Sequence, residues 1–242
     1  MSGLREYLVL LVFEVRQSVR RVELWLPYAV SSTLGLFMIT KGYQAFGGEG
    51  ARWFFALGWV PVVMVLAGTL GTVSAVVSLS LGSLAYWLSL PLSVRQVVGA
   101  KLLAGTSTSL LVSLFVLFVV GVFILHDVRV FAPLNLLALT LLGAAVSGLL
   151  AALAVWVRDL NRLSVVTVLA SGALQYLSTV YTPILALPEW LRPVVFLNPV
   201  SLASRVLRTG AIEAFLFLAL ESALLFGAGV FALVSRVRRQ RG

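Results

Sequence analysis

Long apolar segments constrain this chain more than any other feature, because about 20 consecutive apolar residues in a helix cross the hydrocarbon core of a bilayer. Six segments come near or exceed that length. The predicted spans are 24–40, 53–81, 102–125, 134–156, 164–182 and 212–235. The sequence therefore predicts an all-α integral membrane protein with six transmembrane helices in one domain, 1–242.

Composition excludes a soluble globule. Hydrophobic residues make up 60% of the chain and charged residues 11%, whereas soluble domains carry about 25% charged residues. There is no cysteine, which rules out disulfides, zinc–thiolate sites and thiol catalysis. The net charge of +9 does not indicate nucleic acid, because the basic residues lie mainly at span ends and tails.

Residues 1–23 predict an amphipathic helix that lies in the membrane interface. At 100° per residue, seven apolar side chains share an arc of about 100°, and the charged side chains lie on the remaining surface. The seven are Leu4, Leu8, Leu11, Val12, Val15, Val19 and Val22. The alternative is a packed surface helix of a soluble domain.

The distribution of arginine and lysine predicts the orientation. With the N-terminus inside, the cytoplasmic segments hold 12 of these residues and the outer segments hold 6. Short cytoplasmic segments carry the excess of positive charge. Both termini are therefore expected in the cytoplasm, with 236–242 as a basic tail and the chain in the plasma membrane.

The segment 82–101, between the second and third spans, combines an aromatic stretch with a helix start. Ser93 followed by Gln96 predicts a capping box, and Pro91 interrupts what precedes it. The apolar stretch before Pro91 either docks into a cytoplasmic partner or anchors the chain at the interface. The docking candidates are Leu84, Tyr86, Trp87 and Leu88.

The outer segment 183–211 is apolar yet contains four prolines, so no single helix crosses it. A short helix is predicted from Pro188 to Arg192, stopped by Pro193. A second helix, about 199–209, has Asn198 as its N-cap and ends at Gly210.

Irregular backbone at membrane depth is tolerated only where protein or a water-filled cavity covers it. The prediction for 183–211 is therefore a re-entrant helical pair that closes a pathway on the outer side. The outer-gate candidates are Pro188, Trp190, Asn198, Pro199 and Arg205.

The fifth span carries a polar stripe, spaced so that its side chains fall within about 80° of arc on a helix. Its members are Ser164, Thr167, Ser171, Gln175, Ser178 and Thr182. They either line a translocation path or form hydrogen bonds between helices. Glu221 lies in the last span, where a carboxylate is costly, and is either a functional charge or a protonated or paired structural group.

Reactive motifs are absent from the sequence. A phosphate-binding P-loop needs Gly-Lys-Ser/Thr, but Lys41 follows Thr40 and Lys101 follows Ala100. The single histidine, His126, has only Asp127 beside it as a potential ligand. No catalytic residue, metal site or bound cofactor is expected on this chain.

Two stretches resemble a known family. The sequence LPEWLRPVVFLNPVSLASRVLR, residues 187–208, resembles the outer signature of type-2 ABC transporter permeases. GSLAYWLSLPLSVRQVVGAK, residues 82–101, is similar to the segment before the third span of that family, which often carries charges where Leu79–Leu90 has none. The resemblance extends over essentially the whole chain.

The resemblance implies a permease subunit of an ABC exporter. It implies a dimer of two permeases, identical or homologous, each paired with a separate P-loop ATPase subunit that binds ATP and Mg²⁺. Besides these partners the chain contacts membrane lipid. The alternative function is an ATP-independent carrier or channel, which needs ion-coupling charges near the midplane, and a membrane enzyme or assembly scaffold is a third class.

Overall fold

The computed structural model describes residues 2–20, 22–80, 92–157, 160–182 and 184–239. Helices make up most of these ranges, and no strand occurs within them. The prediction of an all-α protein is therefore confirmed. The α-helices are α1 (Ser2–Arg20), α2 (Val22–Ser80), α3 (Val94–Val119), α4 (Pro133–Ala154), α5 (Leu160–Tyr176), α6 (Arg192–Phe196), α7 (Pro199–Thr209) and α8 (Ile212–Arg239).

Four helical stretches in the described ranges are long and apolar enough to cross a membrane. They are Gly48–Leu79, Val94–Leu125, Pro133–Ala154 and Ile212–Arg239. These stretches correspond to the second, third, fourth and sixth predicted spans. The chain is therefore a membrane protein with several apolar helices.

The long helix α2 reverses direction near Gly48. Gly48 has φ 65° and ψ −161°, a backbone conformation that costs a residue with a side chain much more than glycine. The indole nitrogen of Trp59 donates a hydrogen bond of 3.2 Å to the carbonyl of Ser32. On a straight helix these two residues would lie about 40 Å apart. The segment 41–52, which connects the first two predicted spans, is helical except at Gly48.

The capping box at the start of α3 is confirmed. The Ser93 hydroxyl accepts from the Gln96 backbone N–H at 3.3 Å, and the Gln96 side-chain oxygen accepts from the Ser93 N–H at 2.9 Å. The helix continues through a π-helical turn, Val120–Leu125. A 3₁₀ turn at Val128–Phe131 then leads into α4.

Small residues bring α4 and α8 into backbone contact. A Cβ added to Gly229 would overlap the carbonyl of Gly148, and a Cβ on Gly148 would overlap the backbone of α8. The Ser222 hydroxyl of α8 also donates to the Leu141 carbonyl of α4 at 2.8 Å. Close approach at small residues is the usual way in which membrane helices pack.

The fifth helix is shorter than predicted. The sequence predicted a span over 164–182, but α5 ends at Tyr176 after 17 residues, and turns and bends follow. The amide of Asn198 binds the carbonyls of Leu174 and Leu177 at this point. The side chain of Asn198, 21 positions after Leu177 and 24 after Leu174, therefore binds the backbone where the helix ends.

The outer segment contains the predicted second helix but not the predicted first one. Residues 188–191 form a hydrogen-bonded turn, with the Leu191 N–H bonded to the Pro188 carbonyl at 3.0 Å. Helix α6 begins at Arg192, so Pro193 lies in its first turn instead of ending a helix. Proline is tolerated there because the first N–H groups of a helix have no intrahelical partner.

Candidate functional site

Helix α7 has the bounds that the sequence predicted. Asn198 is the N-cap, and its side-chain oxygen accepts from the Val200 N–H at 2.8 Å. Gly210 ends the helix in the left-handed conformation at φ 64°. Most of α7 is buried, including Val200, Leu202 and Val206. This helix is therefore part of the packed interior although it lies outside the four spans.

The N-cap of α7 and one polar residue within it bind the backbone at and after the end of α5. The Asn198 amide nitrogen donates to the Leu174 carbonyl at 2.9 Å and to the Leu177 carbonyl at 2.7 Å. The Ser201 hydroxyl accepts from the Thr179 N–H at 2.9 Å. Asn198 therefore binds carbonyls at the end of α5, where a helix leaves carbonyls without helical partners, and Ser201 binds an N–H of the turns that follow.

Arg208, near the C-terminal end of α7, joins three segments. Its guanidinium donates to the Phe54 carbonyl at 2.8 and 3.1 Å, to the Thr179 carbonyl at 3.0 Å and to the Val180 carbonyl at 3.3 Å. Gly58 leaves room for it, because a Cβ there would overlap the guanidinium. Burial lowers the pKa of Arg208 to about 10, which still leaves it protonated at neutral pH.

We name the group formed by Asn198, Ser201 and Arg208 with the backbone they bind the outer clamp. It connects α7 to the end of α5 and to the start of the span Gly48–Leu79. The sequence signalled Asn198 through the Asn-Pro start of a helix. It did not signal Ser201 or Arg208, because their partners lie 22 and 154 residues away.

The outer-gate candidates fall into two groups. Asn198 and Pro199 belong to the start of α7 and are buried. Arg205 lies 4.4 Å from the centroid of the Phe196 ring, which connects α7 with α6. In contrast, Pro188 and Trp190 lie on the surface, with Trp190 76% exposed.

Most of the polar stripe is buried within the chain. Thr167, Ser171, Gln175 and Ser178 are buried, whereas Ser164 is exposed and Thr182 is half-buried. The Ser171 hydroxyl lies 2.5 Å from that of Thr69, so this pair joins α5 to α2. The opposite face of α5 is apolar and exposed at Val165, Val168, Leu169 and Tyr176.

A cavity of about 670 Å³ lies between α1, α2, α3 and α5, and we call it the slot. Ser164 and Thr167 of the polar stripe line it, as do Glu14 of α1 and Lys101 of α3. The Lys101 ammonium lies 2.7 Å from the Glu14 carboxylate, and both side chains are buried. This ion pair fastens α1 to α3.

The face of α1 that packs against the protein coincides only in part with its predicted apolar arc. Leu10 and Glu14 are buried, and Tyr7 and Leu11 pack against the same cluster. Leu8 and Val12 of the predicted apolar arc are exposed. The sequence analysis placed Glu14 among the charged residues outside the apolar arc and did not predict its ion pair with Lys101. The spacing of Glu14 from Tyr7, Leu10 and Leu11 is nevertheless that of one helix face.

The docking candidates Leu84, Tyr86, Trp87 and Leu88 lie in 81–91, outside the described residues. Glu221, in the last span, has one side-chain oxygen that is buried without a hydrogen-bond partner among the described residues.

No reaction centre is evident in the described part of the chain, where no group of three or more histidine and acidic residues comes together. The carboxylate of Asp127, beside His126, is occupied by Arg129, with an ion pair of 2.8 Å. Polar side chains instead join helices to one another. This fold is that of a multi-span helical membrane protein.

Comparison with protein families agrees with this class. The family model for the ABC-2 type transporter matches residues 5–212, which is most of the chain. The chain therefore belongs to the ABC-2 type transporter family. It is the membrane permease component of an ABC transporter and not itself the ATPase, and permeases of this family generally pair with ATP-binding subunits. A search of curated proteins found no match.

Proposed function

We propose that the chain is the permease subunit of an ATP-driven exporter. Two permease copies form the path, and separate P-loop subunits bind ATP and Mg²⁺ and hydrolyse the nucleotide. The chain lies in the plasma membrane with six spans and both termini in the cytoplasm. The first span is the arm of α2 before Gly48, and the fifth is α5 with the turns after it.

The outer clamp is the observation that carries this proposal. Residues 183–211 contain the outer signature, and α7 within them is bonded to both the start of the span Gly48–Leu79 and the end of α5. A movement of either element is therefore transmitted to α7. This connection is what an outer gate driven from the other side of the membrane needs.

The short helices of the outer segment support a re-entrant pair. Helix α7 has 11 residues and α6 has 5, so even α7 is about 16 Å long, roughly half the thickness of the hydrocarbon core. Most of α7 is nevertheless buried. In the proposed arrangement, α6 and α7 together enter the membrane and return on the same side.

The position of α1 supports coupling to a cytoplasmic partner. Its exposed apolar residues, among them Val9, Val12 and Phe13, suit the membrane interface. The Glu14–Lys101 ion pair fastens α1 to the start of α3, which follows the docking candidates at 84–88. A force applied by the ATPase subunit at 84–88 would therefore reach α1 and α3 together.

The test is ATP hydrolysis by the tagged, full-length chain, purified from its native membrane alone and with its co-purifying P-loop protein. We expect hydrolysis only in the complex, abolished when the P-loop lysine of the partner is replaced by alanine. Hydrolysis by this chain in isolation, retained after contaminating ATPases are removed, would falsify the assignment.

The ATP-independent carrier is the alternative that the sequence left open, and the family match disfavours it. The observation that favours it is the oxygen of Glu221 that is buried without a hydrogen-bond partner among the described residues. A carrier would use this carboxylate to couple ions to transport, so Glu221→Gln would abolish its activity. In the proposed exporter, Glu221→Gln preserves the ATP hydrolysis of the complex.

A further inference from the structure

The slot is elongated along the membrane helices. Its walls come from 67–78 on α2 and 101–112 on α3, and 11 helical steps extend about 16 Å. Its volume of about 670 Å³ lies within the range of ligand-binding cavities. Apolar side chains such as Leu70, Val73 and Val112 form much of the lining.

Glu14 and Lys101 are the charged groups among the described lining residues, and their charges cancel. Their side chains are 6% and 10% exposed, so the pair lies out of bulk water. A ligand group with a net charge would lose hydration here without finding an uncompensated opposite charge. The site therefore favours a polar group that is uncharged or zwitterionic.

The slot is open on its side between α2 and α5. Leu70 and Val168 both line it, and they are 41% and 64% exposed. The opening borders the span Gly48–Leu79, so an amphiphile can enter it from the bilayer. Lys101 lies about 16 Å from Val112 along α3, which places the charged pair at one end and apolar residues towards the other.

We propose that the slot binds one membrane lipid whose headgroup is electrically neutral. The headgroup lies at Glu14 and Lys101, and an acyl chain extends towards Val112. The site belongs to the single chain, so it does not depend on the partner ATPase or on the direction of transport.

The experiment uses the full-length chain in nanodiscs that contain phosphatidylcholine with a photoreactive acyl chain. Labelled peptides are mapped by mass spectrometry. We expect label at 67–78 and 104–112, in addition to exposed apolar positions of α8 such as Leu224 and Phe231. Thr108→Phe, which fills the slot from α3, should reduce the slot label about tenfold, equivalent to about 1.4 kcal/mol, and leave the α8 label unchanged.

Thr140→Phe is the matched control, because Thr140 is exposed on α4 and does not line the slot. It should leave both labels unchanged. Ser74→Phe fills the slot from α2 and serves as the second variant if Thr108→Phe does not fold. Slot label that neither filling variant reduces would overturn the proposal.

Charge variants test the headgroup assignment. Glu14→Gln removes the carboxylate that faces Lys101 and should shift the preference towards photoreactive phosphatidylglycerol. Lys101→Gln leaves the Glu14 charge and should shift it to a cationic lipid with the same acyl chain. If the chain binds the anionic lipid best before any substitution, or if neither variant changes the preference, the proposed neutral-headgroup site is wrong.

Discussion

The guanidinium of Arg208 covers the ring of Phe54, 3.6 Å from its centroid, while it donates two hydrogen bonds to the carbonyl of the same residue. The two residues are 154 positions apart in the sequence. A cation over an aromatic face and hydrogen bonds from a charged donor reinforce each other where water is excluded. This one side chain therefore holds α7 against the start of the second predicted span.

Arg208→Met should destabilise the protein by about 3 kcal/mol or more, because it removes a charged donor and leaves the carbonyls of Phe54, Thr179 and Val180 without it. Arg208→Lys should lose less, since an ammonium keeps the charge but cannot reproduce the planar set of donors. Thermal unfolding in detergent measures both. Equal unfolding temperatures of the native chain, Arg208→Met and Arg208→Lys would mean that the Arg208 contacts of the outer clamp do not stabilise the fold.

Gly58→Ala should reproduce part of the Arg208→Met effect without changing the arginine. The new methyl group would overlap the guanidinium and displace it from the Phe54 carbonyl. Gly227→Ala is the control, because no atom outside the adjacent turns of its own helix lies within 4 Å of the position its Cβ would take. The control should be neutral or more stable by about 0.5–1 kcal/mol, the usual gain for alanine over glycine in a helix.

Asn198→Asp separates the two roles of Asn198. Aspartate caps helices as well as asparagine does, but it would place an oxygen against the carbonyls of Leu174 and Leu177. Asn198→Asp should therefore unfold at least as readily as Asn198→Ala, which loses about 1 kcal/mol from the cap alone. A fully stable aspartate variant would show that Asn198 is only an N-cap.

Capping residues and helix-ending glycines predicted those helix ends that depend only on residues close together in the sequence. The Ser93–Gln96 capping box and the Asn198–Gly210 bounds of α7 each depend on residues within one helix, and both are confirmed. Pro193 shows the limit of such signals, because proline fits the first turn of a helix and also ends a preceding one. The sequence analysis predicted that Pro193 ends a helix, whereas in the structure Pro193 lies in the first turn of α6.

Contacts between distant residues could not be predicted. The end of α5 is bound by Asn198, and Ser171 meets Thr69 across 102 positions. Periodicity placed Glu14 outside the apolar arc of the first helix, and it could not show the partner Lys101, which lies 87 positions further along the chain. A periodicity plot gives the faces of a helix, but it does not say which face finds a partner.

The two ends of α4 test the predicted orientation in the membrane. Val128 and Trp156 are 77% and 87% exposed, and the topology places them on opposite sides. In intact cells, Val128→Cys should react with a membrane-impermeant maleimide, whereas Trp156→Cys should react only after permeabilisation. Because the native chain has no cysteine, there is no background reaction to subtract from this chain. The reverse pattern would place both termini outside.

The most direct test of an ATP-driven outer gate is the reactivity of two adjacent positions in α6. Val195 is 1% exposed and Val194 is 54% exposed. In the co-purified complex in nanodiscs, Val195→Cys should react slowly with maleimide at rest and faster during ATP turnover, while Val194→Cys reacts quickly throughout. The increase should disappear when the partner lacks its P-loop lysine. A Val195→Cys rate that ATP does not change, or that changes equally with the inactive partner, would contradict ATP-driven opening of the outer segment.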